Sequence, residues 1–398
     1  MNTLRDIIAD LRTHPGRNVL TAVSLFIGVL AVMAIIVTGT VVKEVFVSTA
    51  EQQGGRFQTF QQSVQLPAEA SRAQLVTALQ SLPTVPGAHS GCLVESSSTV
   101  TVASLPVSSA TSQQGRQSGT AVRFVAGDYR SVYRMPIIQG RWLRSNLSTS
   151  PYEAVLNMPS AGSLGGVGTP IWLTSNTSAT AFPVTVVGVV NDGSTQPVLY
   201  TNAIAWLTNA PQLLHPDTLT LLWQQPGTPV DSVHNSINQW LDAHQLPTNG
   251  EISETDTVAG FQQFITVMQL SFGGVAALSL LVAGLGIINV GLASVKERTR
   301  ELVIRRAIGA SKASIVKMIV GSSVTLSVMV AAVSALVAGA GLAVFRASLP
   351  HDTAMVAPAY PVTAAALGTA VAIATALAGS IIPAVVASRL QPALALRE

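Results

Sequence analysis

The sequence predicts a membrane α-helical protein with four transmembrane helices and a large extracytoplasmic α+β domain between helices 1 and 2. Three observations carry this. The chain is 48% apolar and 10% charged, where soluble domains carry roughly 25% charged residues. Four apolar runs are long enough for a bilayer core, which needs roughly 20 residues of helix. Between Glu44 and Val295 there is no lysine, while Ser, Thr, Gln and Pro abound.

The runs cover about residues 19–42, 261–295, 319–345 and 360–386. Buried helices of a soluble protein are rarely this long and this free of charge. Glycines such as Gly273, Gly284, Gly286, Gly339 and Gly341 suit close helix packing in lipid. The first run, flanked by Arg5, Arg12 and Arg17, exceeds the roughly 7–15 residues of a signal-peptide core. No small-residue cleavage site follows before Lys43, so an uncleaved anchor is expected.

Orientation follows from lysine and arginine. The segment before the first run carries three arginines. The 296–318 connection carries Lys296, Arg298, Arg300, Arg305, Arg306, Lys312 and Lys317, and the 387–398 tail carries Arg389 and Arg397. The 346–359 connection holds only Arg346. Residues 1–18, 296–318 and 387–398 are therefore expected in the cytoplasm, and 43–260 and 346–359 outside.

Within 43–260, helices are predicted over Pro67–Leu82 and Val230–Leu246. Strands are predicted at Val100–Val102, Val122–Val125, Ala154–Leu156, Ile171–Leu173 and Val184–Val190. Gly162–Gly168 reads as a turn between two strands, without the lysine of a phosphate-binding loop. On one helix, His234 and His244 would lie about 80° and roughly 15 Å apart, too far for one metal. They read as surface residues. Cys92 is the single cysteine, so no internal disulfide exists. No catalytic motif and no metal site emerges, and an enzyme is not expected. The net charge of +3 gives no reason to expect nucleic acid.

The densest charge lies at 296–306, where seven of eleven residues are ionic. On a helix, Arg298, Glu301 and Arg305 would share one side, with Val303, Ile304 and Ala307 opposite. Glu301 stands four residues before Arg305, the favourable order for a helical ion pair. Gly309 can end the helix in a left-handed conformation, and Ser311 or Ser314 can cap the next one. A lipid anchor needs only cations. Glu297 and Glu301 in register with the cations favour docking into a protein groove.

Glu297-Arg-Thr-Arg-Glu301-Leu-Val-Ile-Arg-Arg-Ala-Ile-Gly309-Ala-Ser strongly resembles the cytoplasmic motif of MacB/FtsX-type ABC transporter permeases, E-R-T-R-E-I-G-I-R-x-A-x-G-A. The tail from Pro383 through Arg389 and Pro392 looks like that family's closing P-A-x-x-A-[AS]-R-x-x-P-x-x-A-L-R-x-E. Asp128-Tyr129 with Gly140-Arg141, and Phe182–Val190, resemble segments of its outside domain more loosely. The resemblance implies a dimeric permease, paired with a second copy or a homologous permease, in a bacterial inner membrane with both termini inside. It implies that Glu297, Arg298, Arg300, Glu301, Arg305, Arg306 and Gly309 dock and couple to a nucleotide-binding subunit. ATP and Mg would belong to that ABC ATPase partner, since no P-loop occurs here, and this chain would hold no cofactor. Motion would pass through the helices to the outside domain, which can engage an extracytoplasmic adaptor. The size of the outside domain favours export or extraction of an amphiphilic compound, peptide or lipoprotein. The alternative is a non-transporting mechanotransmission protein that signals to an outside partner such as a cell-wall hydrolase.

Overall fold

The structure, a computed structural model, describes residues 15–67, 70–82, 88–97, 99–104, 116–117, 119–144, 152–175, 178–255, 258–297, 299–350, 353–356 and 358–389. Arg5, Arg12, Arg298, Pro392 and Arg397 lie outside the described residues. Two compact units result. One comprises residues 1–44, 263–349 and 357–398, the other residues 45–262 and 350–356.

The helical unit contains α1 (Pro15–Gln53, whose last residues from Val45 belong to the other unit). Its further long helices, numbered in chain order with those given below, are α7 (Val258–Glu297), α9 (Lys312–Ser348) and α10 (Val362–Ser388). All four are long and apolar enough to cross a bilayer. Their contacts use small residues. A Cβ on Gly379 would stand 2.8 Å from Ile287 Cγ2, one on Gly291 2.6 Å from Pro383 Cγ, and one on Gly28 3.0 Å from Ala283 Cβ. Leu25, Val29 and Met33 of α1 are buried with Ile287, Val330 and Ala372. Outward-facing side chains stay apolar: Leu270, Leu281, Val282 and Leu285 are all exposed. Hydroxyls within these helices bond back to their own backbone, as Thr325 Oγ1 does to the Gly321 carbonyl at 2.8 Å. Most such hydroxyls are thereby satisfied inside the helix, as hydrocarbon demands, with Ser334 Oγ of α9 an exception.

The second unit is built on one mixed sheet. Its strands are β1 (Thr59–Gln65), β2 (His89–Ser96), β3 (Val100–Ala103), β4 (Arg116–Gln117), β5 (Ala121–Gly127), β6 (Ile137–Gly140), β7 (Glu153–Asn157), β8 (Pro170–Ser175), β9 (Ser178–Val190), β10 (Val198–Asn202), β11 (Pro216–Gln224) and β12 (Ile252–Glu254). The order is β12-β1-β11-β2-β5-β10-β7-β9-β8-β3-β4, with β6 added to β9. The β10–β5 and β7–β9 pairs are parallel, the others antiparallel. Successive residues along the strands enter opposite cores. Cys92, Phe124, Leu156, Leu199 and Leu221 enter one core, while Val125, Val155, Val198, Tyr200 and Leu222 enter another. A sheet buried on both faces gives nearly unbroken apolar runs.

The larger core is covered by α2 (Arg72–Ser81), α5 (Ala203–Asn209) and α6 (Val230–Ala243). Trp206 anchors it, stacked on Tyr152 at 4.0 Å and donating to Thr201 Oγ1 at 2.7 Å. The smaller core is covered by α3 (Tyr129–Val132) and Met135.

Three local expectations are corrected. Ser71 has extended backbone, so α2 starts at Arg72 rather than Pro67. Gly162 lies inside α4 (Met158–Leu164), because the Asn157 side chain caps it by accepting from Ser160 N at 3.1 Å. The turn begins only at Gly165, where φ is 103°. His234 and His244 are half-buried rather than surface residues. His234 Nε2 meets Asn238 at 3.0 Å, and His244 Nε2 meets Ser81 Oγ at 3.0 Å.

Candidate coupling site

Between α7 and α9 the chain forms the short helix α8 (Thr299–Ala307). Thr299 Oγ1 is 3.0 Å from the carbonyls of both Val295 and Lys296, so its hydroxyl sits over the last turn of α7. Past Ala307, Ile308 N donates to Ile304 O at 3.0 Å and Gly309 N to Arg306 O at 3.1 Å. Gly309 then turns with φ at 105°, a conformation that penalises any side chain with a Cβ. Ser311 caps α9, accepting from Ser314 N at 3.2 Å.

Among the described residues, Val303 and Arg306 attach the elbow to the long helices. Val303 is 2% exposed, and Arg306 Nη1 donates to the Ser388 carbonyl at the end of α10 at 3.3 Å. Below it, Val295, Ile315 and Ala387 form a small buried cluster joining α7, α9 and α10. Val303, the Arg306 guanidinium and this cluster thus hold the helix–glycine–helix sequence against the long helices.

The other side faces outward. Glu297, Arg300, Glu301 and Gly309 are exposed. The expected apolar face does not close: Ala307 and Ile304 are exposed, and Ile308 is 82% exposed. Among the described side chains of α8, Val303 is the buried one. Ile304 and Ile308, four residues apart, therefore form an outward apolar ridge beside Arg300 and Glu301. Arg298 lies outside the described residues, and so does the Arg305 side chain. The sequence motif identified the charges but not this ridge; two isoleucines four residues apart ahead of the turn glycine were its signal.

In the other unit, the end of α1 is fixed to the sheet domain. Glu51 Oε2 accepts from Arg134 Nη1 at 3.1 Å, with both side chains less than one-sixth exposed. Arg134 N donates to the Glu51 carbonyl at 3.1 Å, and Arg56 N to the Val132 carbonyl at 2.8 Å. Gln52 Nε2 donates to the Asn191 carbonyl at 3.0 Å. On the return, β12 pairs with β1, and Thr255 Oγ1 donates to the Gly54 carbonyl at 2.8 Å. Phe46 and Phe261 meet at 5.4 Å. Charged and backbone contacts of this kind leave little slack between helix and sheet.

Gly140-Arg141 has a structural part. Arg141 grips the buried Glu153 carboxylate with both terminal nitrogens, one at 2.9 Å. Burial raises the Glu153 pKa, but the Arg141 hydrogen bonds and charge, with Arg144, outweigh it and hold the carboxyl below its ordinary value. Among the described residues no cluster of His, Cys, Asp or Glu could hold a metal ion.

The MacB-like periplasmic core domain family matches residues 19–240, and the FtsX-like permease C-terminal family matches residues 273–392. The macrolide export ATP-binding/permease protein MacB of Azoarcus sp. (strain BH72) is 34% identical over 171 residues, 42% of this chain and 25% of that protein. The pyoverdine export ATP-binding/permease protein PvdT of Pseudomonas savastanoi pv. phaseolicola (strain 1448A / Race 6) is 39% identical over 132 residues, 32% of this chain and 19% of that protein. The chain thus spans a quarter or less of these curated relatives. The periplasmic region of MacB from Actinobacillus actinomycetemcomitans matches at 15% identity with a TM-score of 0.37, covering 53% of this chain and 94% of that one. With a MacB-like core domain between its first two helices and an FtsX-like C-terminal region after it, the chain belongs to the MacB/FtsX-type family of ABC transporter permeases.

Proposed function

We propose that the chain is the permease subunit of an ATP-driven exporter in a bacterial inner membrane. Both termini and residues 296–318 lie in the cytoplasm, where lysine and arginine concentrate. A separate ABC ATPase, carrying ATP and Mg, docks on Glu297, Arg298, Arg300, Glu301, Arg305, Arg306 and Gly309. A second permease copy or a homologous permease completes the assembly, and an adaptor can engage the outside domain. Cargo is an amphiphilic compound, peptide or lipoprotein, exported or extracted from the outer face of the membrane.

The exposed side of α8 carries this reading. It combines both signs of charge with the Ile304–Ile308 ridge. A bilayer surface and a protein groove can both bury the isoleucines, but anionic lipid would select cations alone, whereas a protein groove can pair both signs. Force applied there would travel along α7 and α9, and α1 ends in the Glu51–Arg134 fastening.

Co-purification of the full chain with its ATPase tests the docking. Glu301→Lys is expected to abolish retention of the ATPase and nucleotide hydrolysis by the complex, while the variant chain still folds. Retention and hydrolysis equal to the parent chain would sink the docking assignment. The FtsX-like C-terminal match keeps the signalling alternative in view. A deletion strain sensitive to an exported compound supports export; a cell-wall defect without any such sensitivity supports signalling.

A further inference from the structure

The second face of the sheet holds a cavity of about 500 Å³, within the size range of small-molecule sites. Its floor includes Arg123 of β5 and Tyr200 of β10, paired across neighbouring strands. Tyr129 and Tyr133 stand beside them, their rings 5.0 Å apart, and Gln52 at the end of α1 forms a wall.

Arg123 is half-buried, and no carboxylate of the described residues pairs with it. Its guanidinium carbon lies 5.9 Å from the centre of the Tyr200 ring. Two carboxylates also line the cavity, and neither lies within ion-pair distance of Arg123. Asp192 accepts from Tyr200 Oη at 2.8 Å, from Asn157 Nδ2 at 3.2 Å and from Ser194 N at 3.0 Å. Exposed Glu95 is turned to Thr220 Oγ1 at 3.4 Å. Burial, more than any other influence, raises the Tyr129 phenol pKa, so this hydroxyl stays protonated and can donate. A guanidinium withdrawn from water without a counterion is unfavourable, and its planar fork suits two oxygens of one anion.

We propose that this cavity is a binding subsite for the oxyanion head group, phosphate or carboxylate, of a small molecule. Arg123 supplies the charge and the fork, and the Tyr129 hydroxyl, in hydrogen-bond contact with Arg123 and held by the Tyr133 hydroxyl, supplies a further donor. Tyr200 is committed to Asp192 and serves as a wall. Because Gln52 also lines the cavity and binds the Asn191 carbonyl, an occupant touches α1 and the sheet together. Only the consequence of occupancy, as cargo or modulator, rests on the permease reading. Binding itself needs neither nucleotide nor ATPase, so the two can fail separately.

The test is equilibrium dialysis of the full chain in detergent against inorganic phosphate and against dihexanoyl phosphatidate. Saturable binding is expected, weakened at least tenfold by Arg123→Gln and several-fold by Tyr133→Phe, with Arg123→Lys in between. Equal affinity for the two probes assigns the site to a free oxyanion; tighter phosphatidate binding assigns it to a lipid-like head group. Protection of Cys92 from thiol reagents checks the fold. If Arg123→Gln loses that protection, Arg123→Lys and Tyr133→Phe decide. Absence of saturable binding, binding indifferent to the folded Arg123 variants, or preference for tetramethylammonium overturns the proposal.

Discussion

The sheet domain and the helical unit bury their residues by different physics. The domain buries large side chains: Trp206, Trp223, Tyr200 and Leu156 are fully enclosed. The helical unit buries many small ones, among them Ala364, Ala372, Ala376, Ser380 and Ala384 of α10, beside a few large ones such as Leu25 and Met33, while Leu270, Leu281 and Leu285 stay outside. In water, removing apolar area is the driving force, so large residues go inward. In hydrocarbon that force vanishes between helices, and close backbone approach through small residues replaces it. One chain thus follows two packing rules, and they should break separately.

The largest expected effect is in the domain. Trp206→Ala removes the ring stacked on Tyr152 and edge-on to Phe124 and Phe182. It also leaves the Thr201 hydroxyl without its indole donor. Roughly 3–5 kcal/mol of domain stability should go. Cys92 reports this: it is fully buried, and burial also pushes its thiol pKa up, so it resists labelling in the folded domain. The variant should label at Cys92 under conditions that leave the parent protected, with membrane-helix content unchanged. Continued protection would show that the domain core does not depend on this anchor.

The same difference decided what the sequence disclosed. Apolar length alone marked the four helices, because hydrocarbon imposes one requirement on every residue. The charged elbow was legible from its motif, with Gly309 as helix stop and Ser311 as cap. Valine-rich strands such as β9 announced themselves. Strands β1 and β11 did not: β1 reads Thr-Phe-Gln-Gln-Ser-Val-Gln, and its buried Gln62 is held by Asn238 from α6, 176 residues away. Asn157 hid α4 in the same way, because its capping role needs the local turn geometry. The Arg123–Tyr129–Tyr200 cavity drew on residues spread over three elements, and nothing in their spacing announced it.

A smaller effect sharpens the helical side. At Gly379→Val the new Cβ would meet Ile287 Cγ2 at 2.8 Å and Cβ at 2.9 Å, atoms of a branched side chain with little room to move. About 1–3 kcal/mol of overpacking is expected between α7 and α10. Heating the full chain in detergent should show earlier loss of helix packing while Cys92 stays protected. Cys92 exposure in this variant would mean that the two units share one stability, contrary to the separate packing rules.

The smallest stability change belongs to the elbow, where packing matters least. Gly309 has φ at 105°, and a Cβ added there would meet no described atom within 4 Å, so space is available and backbone conformation is the whole penalty. Gly309→Ala should therefore cost roughly 1 kcal/mol, too little to unfold α9, which Ser311 caps independently. Relief of that strain requires the α8–α9 turn to open, which swings Ile304 and Ile308 while Val303 stays buried. The melting temperature in detergent should barely move, yet hydrolysis by the assembled ATPase complex should fall several-fold. Gly309→Asn, which tolerates a left-handed backbone better, should restore part of it. Equal loss in both variants would show that the position matters for something other than backbone conformation, and the turn would cease to explain the elbow's geometry.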